Sequence, residues 1–404
     1  MKKLLALVVA LFSVGNIVAQ GDVAQRAQAE QLFAQERFAD AMPLYSNLVS
    51  LYPSDRDLNY RLGTCMIHSG GDKEKAVGFL KFATQDASVA PLAHYQLGRA
   101  LHVTYRFTDA MAAYAVYKAK ADKKTLVEHP VDVLEKQCRN GTQLLSNLKE
   151  IEVHSKVEVD EKQFDRFYDL TDMGGRIVEV PDELKSSLDR KSDKRSFFFK
   201  SDKGGTIYFS SYGKDGKTGR DIYTTELLPD GSFREPRKLA GYVNTDQDED
   251  FAFLHPDGKT FYFSSKGHNS MGGYDVFKAN YDRGLDVFSS PENLDFAVNT
   301  PDDDVLYIVD PEGKEACFAS ARDSRQGSIH VYRVSTTQQT LDLVILKGQY
   351  LSEIDAADRK AHIIVEDAVT RKQVADVRTG LDGTYVLSLP HSGRYKFMVE
   401  AGPG

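Results

Sequence analysis

The 404-residue sequence predicts a multidomain protein that is helical first and β-rich afterwards. Three observations predict it. Residues 22–150 carry Ala, Leu and Tyr three or four apart with few β-branched runs, which is helical period. Residues 151–341 repeat one strand-and-turn pattern at intervals of 54 and 55 residues, measured between Phe209, Phe263 and Phe318. Residues 342–404 alternate strand and turn signals without that repeat. Hydrophobic residues make up 41% and charged residues 27%, the balance of a folded chain. A formal charge of −8 argues against a nucleic-acid surface, because phosphate binding needs concentrated Lys and Arg.

The first segment reads as a processing signal. Lys2 and Lys3 precede an apolar run from Leu4 to Phe12, and small or apolar residues lead to Ala19. Residues 1–19 are therefore expected to be a secretory signal peptide, and the mature chain to be exported. Cys65, Cys138 and Cys317 are odd in number and far apart, so a disulfide framework is not expected. They read as small buried apolar residues.

In the helical part, AEQLFAQERFADAMPLYSNLVSLYP (29–53) and YQLGRALHVTYRFTDAMAAYAVYKA (95–119) share a helix, an aromatic turn and the triplet Asp-Ala-Met. Ala41 and Ala110 are 69 residues apart, or two units of about 34. YRLGTCMIHSGGDKEKAVGFLKFA (60–83) is the unit between them. Ala29, Gly63 and Gly98 on the first helix of each pair, with Ala41, Ala76 and Ala110 on the second, let the helices approach closely. Spacing and motif resemble tetratricopeptide repeats, which implies an α-solenoid over 22–150. Helical spacing puts Arg26, Glu30, Phe33, Tyr60, Thr64, Ile67, Tyr95, Arg99 and His102 on one stripe. Its functional reading is a concave groove for a protein partner; its plainer one is a face that meets solvent or the next domain.

In the middle part, DGKTFYFSS (257–265) matches KGGTIYFSS (203–211) and EGKEACFAS (312–320), while GGYDVF (272–277) matches GRDIY (219–223) and SIHVY (328–332). VNT recurs at 243–245 and 298–300. Aromatic strands, Gly turns and about four strands per unit resemble TolB-type and WD-like repeats, which implies a small β-propeller over 151–341. Four blades fit the span, the degenerate one showing FYDL (167–170), RIVEVP (176–181) and PDEL (181–184), and a five-bladed ring with one very divergent blade is the alternative. The Asp of Tyr-Asp-Val-Phe is expected to accept backbone N–H bonds at its turn. In 342–404, Thr379, Gly383 and Tyr385 resemble the core of a carboxypeptidase-regulatory-like β-sandwich, here apparently incomplete.

Tempting chemistry has a structural reading in each case. GKDGKTG (213–219) ends like a phosphate loop, but Ser211 stands where the first Gly belongs and no helix follows. DQDED (246–250) and PDDD (301–304) supply carboxylates of the kind Ca²⁺ needs, yet they fall at equivalent places in two repeats and read as solvated turns. The ten His residues show no ligand spacing. No catalytic, metal or cofactor site is expected.

Leader, helical repeats, propeller repeats and sandwich, in that order, are similar to the multidomain OmpA-family envelope proteins of bacteria that use type IX secretion. The resemblance implies a non-enzymatic scaffold, periplasmic or peripheral to the outer membrane. Its partners would be envelope or secretion-machinery proteins, with peptidoglycan held only if an OmpA-like domain exists beyond this chain. The alternative is a secreted propeller hydrolase or glycan-binding protein with a helical docking domain.

Overall fold

The computed structural model describes residues 22–145, 149–340, 344–352, 358–380, 382–389 and 393–401. The leader expected at 1–19 lies outside the described residues. A helical N-terminal region is followed by a strand-rich region of several antiparallel sheets, none of them closed. Among the described residues, no helix is long and apolar enough to cross a membrane.

The helices are α1 (22–34), α2 (Phe38–Leu51), α3 (Arg56–His68), α4 (Lys73–Ala83), α5 (Pro91–Val103), α6 (Phe107–Lys120), the short α7 (Lys123–Glu128) and α8 (Asp132–Leu144). Asp55 caps α3 by accepting the Leu58 N–H at 3.1 Å, and Asp72 caps α4 by accepting the Lys75 N–H at 2.9 Å. Pro91 opens α5, where its missing N–H costs nothing. The turns inside the three pairs share one device. Glu36, Gly70 and Tyr105 have φ of 57°, 73° and 59°, and the N–H of the next residue bonds back to Leu32, Met66 and Leu101 in turn. Ala29, Ala41, Ala76 and Ala110 are fully buried. A Cβ on Gly63 would lie 2.7 Å from Leu80 Cγ, and one on Gly98 would overlap the Tyr114 ring. Close helix approach therefore depends on the small residues that the repeat predicts.

The strands follow as β1 (Lys149–Asp160), β2 (Gly175–Glu179), β3 (Phe197–Ser201), β4 (Thr206–Ser211), β5 (Asp221–Glu226), β6 (Arg237–Lys238), β7 (Glu249–Leu254), β8 (Thr260–Ser265), β9 (Asp275–Asp282), β10 (Val287–Phe288), β11 (Glu292–Asn293), β12 (Asp304–Val309), β13 (Glu315–Ser320) and β14 (Ser328–Thr340). The sequence repeat is a repeat of register. Phe209 pairs with Tyr223, Phe263 with Phe277 and Phe318 with Tyr332. Two residues on, Ser211 meets Asp221, Ser265 meets Asp275 and Ser320 meets His330. β7 and β12 even share a bulge, after Asp250 and after Val305, with Phe251 and Leu306 both at φ 55°.

The expected fourth unit is not a four-stranded sheet among the described residues: β1 extends the last sheet beside β14, and β2 pairs with β3 in a separate two-stranded sheet. The FYDL stretch instead ends a 3₁₀ turn whose Phe164, with the following Tyr168, is buried in the shared core beside Phe197, Phe253, Leu306 and Phe318. Tyr168 donates its hydroxyl to the Leu306 carbonyl at 3.0 Å, satisfying the backbone of the bulge.

The helices and the sheets through Thr337 form one compact unit, and the strands from Gln338 onward belong to a second. In the second, β15 (Val344–Gln349) pairs with β18 (Thr384–Leu389), while β16 (Ala361–Asp367) lies between β17 (Gln373–Arg378) and β19 (Tyr395–Ala401). β16 alternates buried and half-buried residues, and Ile363 and Val365 meet Leu387 and Leu389 in a small core.

Candidate functional site

The loop between β8 and β9 is where the strand-rich region receives the helices. It carries Gly, Ser, Asn and His around Met271, which is fully buried. Asp275 shapes it from below: its carboxylate accepts the Met271 N–H at 3.1 Å and an Asn293 amide hydrogen at 2.7 Å. Three consecutive carbonyls then point at helices. Ser270 accepts from Asn140 of α8 at 2.8 Å, Met271 from His102 of α5 at 2.7 Å, and Gly272 from Gln137 of α8. Because a carbonyl can only accept, Nε2 of His102 carries the proton. Burial pushes the His102 pKa down to about 4, outweighing that hydrogen bond, so the ring is neutral at pH 7.

Further contacts support the seat. Phe296 sets its ring, tilted, 5.7 Å from Tyr105 and 6.4 Å from Phe107. Lys73 at the start of α4 pairs with Asp302 at 2.7 Å. Burial of His102 and Gln137 makes these hydrogen bonds costly to leave unmade, so the helices are held in a fixed orientation.

That seat decides where the predicted groove residues go. His102 lies in the seat itself, Thr64 is buried with its hydroxyl on the Tyr60 carbonyl at 2.8 Å, and Tyr60 packs in the helical core. These three are not on an open surface, which corrects the expectation for them. Phe33, Ile67 and Tyr95 are half-buried, Phe33 edge-on to Tyr60 at 6.2 Å and Tyr95 beside Tyr117 at 5.4 Å. Arg26 is tied to Asp55 at 3.0 Å, Arg99 is half-buried and Glu30 is exposed. Sequence spacing missed Gln137 and Asn140, whose only signal is an apolar Met set among Gly, Ser, Asn and His of the facing loop.

The acidic turns are structural. Glu249 accepts from Thr245 N at 2.8 Å, Thr245 Oγ1 at 2.7 Å and Ser265 Oγ at 2.6 Å. Asp304 does the same work with Thr300, and Asp248 and Asp303 accept from Arg220 N and Tyr274 N. Burial raises Glu249 to about 7 and Asp304 to about 6. Among the described residues no group of three or more His, Cys, Asp or Glu is arranged to hold a metal ion. In 213–219, Thr218 bonds Asp221 at 2.6 Å and Lys217 pairs with Asp215 at 3.1 Å, so the loop's donors are used locally. Cys65, Cys138 and Cys317 are buried and unbridged, and burial lifts Cys65 and Cys138 to about 12, far from a reactive thiolate. The chain matches no protein-family model, and no curated protein is significantly similar to it.

Proposed function

We propose that the chain is a non-catalytic scaffold of the bacterial envelope, exported by its leader, in which a tetratricopeptide-like array is carried on a small propeller-like base to hold protein partners. The observation that supports it best is the clamp on the carbonyls of Ser270, Met271 and Gly272, which fixes a helical array of the partner-binding type to its base. The carboxylates that would serve catalysis are occupied by backbone and hydroxyl donors, which fits a structural role. The partner classes are secretion or motility components of a type IX system at the periplasmic face of the outer membrane. Glu30, Arg99 and the exposed part of Arg26 are the contact residues that this reading keeps.

The test is affinity purification of the tagged full chain from its own envelope after mild cross-linking, beside a Glu30→Arg, Arg99→Glu variant of unchanged thermal stability. An outer-membrane or secretion component should be recovered with the wild type and lost with the variant. Recovery of no such component, or equal recovery with both, overturns the reading.

A further inference from the structure

The repeated sheets differ where charge is buried. At each junction a strand N–H reaches back to the preceding sheet: Glu249 N to the Arg220 carbonyl at 2.7 Å, and Asp304 N to the Tyr274 carbonyl at 2.6 Å. Arg220 thus stands where the next sheet has Tyr274, and Asp250 stands where the next has Val305. The two form an ion pair at 2.8 Å with side chains 3% and 1% exposed. Desolvating two charges costs several kcal/mol each, and apolar replacements of such pairs are often as stable or more so. The neighbouring junction, built with Tyr274 and Val305, does without the pair. The fold alone therefore does not account for it.

Arg220 of the pair lines a cleft of about 370 Å³ with Tyr212, Lys185, Arg190, Lys194 and Arg195. The cleft's acids are largely matched: Asp182 by Lys185 at 3.0 Å, Glu179 by Arg195 at 3.1 Å, and Asp189 by Ser211 and the Tyr212 N–H. Asp193 lies on the exposed rim. The Arg190 guanidinium donates to the Asp182 carbonyl at 2.8 Å, and Lys194 stands 3.5 Å from Asp248. Arg220 gives Nη1 to Asp250, while its Nε–H is buried without an acceptor. An unmet guanidinium edge in a cleft asks for a planar anion, because Nε and Nη2 match the two oxygens of a carboxylate.

We propose that this cleft binds a small carboxylate ligand, the terminus of a short peptide or an acidic sugar, on the free edge of Arg220, with Arg190 and Lys194 adding charge at the rim. The size suits a ligand of two or three residues. The proposal stands apart from the scaffold reading, which assigns nothing to this cleft.

Calorimetric titration of the full chain with N-acetyl-Ala-Ala, with its C-terminal amide and with galacturonate tests it. One free acid should bind saturably, identifying the source, and the amide should bind at least tenfold more weakly than the peptide acid if the peptide is that source. Replacing Arg220→Tyr together with Asp250→Val installs the neighbouring junction's residues; the melting temperature should hold or rise while affinity for the binding acid falls at least tenfold. The proposal is overturned if neither acid binds, if the peptide acid and its amide bind equally, if affinity survives the double substitution, or if that substitution unfolds the chain.

Discussion

His102 concentrates the chemistry of the seat in one side chain. Its pKa is lowered by burial from an ordinary value near 6.5 to about 4, so between those values the unfolded chain holds the extra proton. Stability linked to this group is complete above pH 6.5 and declines as the pH falls toward 4, by on the order of 3 kcal/mol in all. The expected outcome is that His102→Gln, whose amide can still donate to Met271, loses less stability than wild type between pH 7 and pH 4.5 in urea titrations; parallel curves would rule the linkage out. Legibility at this scale is uneven. Ser211, Ser265 and Ser320 are recognisable as equivalents from sequence, and each meets an acid. The acids of the last two, Glu249 and Asp304, sit at matching positions, but Arg195 holds that place in the first unit. There Ser211 donates to Asp189, a partner brought in by a 3₁₀ turn that no periodicity announces.

At the scale of elements, the recurring VNT triplet acquires a physical meaning. Asn299 Oδ1 accepts the Val276 N–H at 2.7 Å and its Nδ2 donates to the Val276 carbonyl at 2.8 Å, closing both backbone groups of one β9 residue. Asn244 makes the same two bonds to Ile222 of β5. The adjoining segment already donates an N–H to each carbonyl, Leu294 to Val276 and Leu239 to Ile222, so the Asn side chain stands in for the missing acceptor of the strand N–H. Asn299 is fully buried, so Asn299→Ala should strand the Val276 N–H, while the Val276 carbonyl keeps the Leu294 N–H at 3.1 Å; the cost should be about 1–3 kcal/mol, read as a lower urea midpoint at unchanged slope. A loss below about 0.5 kcal/mol would mean that another group covers that N–H. The triplet was visible because it recurs; its task was not, because sequence does not show which backbone groups lack partners. Strand character in RIVEVP was legible in the same way, and β2 is there, but its partner β3 is a pairing that only the packed core selects.

For the molecule as a whole, the decisive contacts join two parts whose repeats carry no information about each other. A period of about 34 residues specifies how one helical pair stacks on the next, and one of 54 to 55 how one sheet follows another; neither places Phe296 between Tyr105 and Phe107. Yet the helices and the sheets through Thr337 form one compact unit, and the seat is buried on both sides. Unfolding one part would leave Met271, Phe107 and the carbonyls of the loop without partners, so the two should open together. Phe296→Ala removes a half-buried ring from the seat without touching either repeat, and should cost about 2 kcal/mol. By hydrogen exchange followed with mass spectrometry, protection should fall in α8 and in the 266–274 loop to the same degree, while β16 in the second unit is unchanged. Loss confined to the loop would show the helices to be stable without their base, and the scaffold proposed above would then lack the rigidity that reading requires.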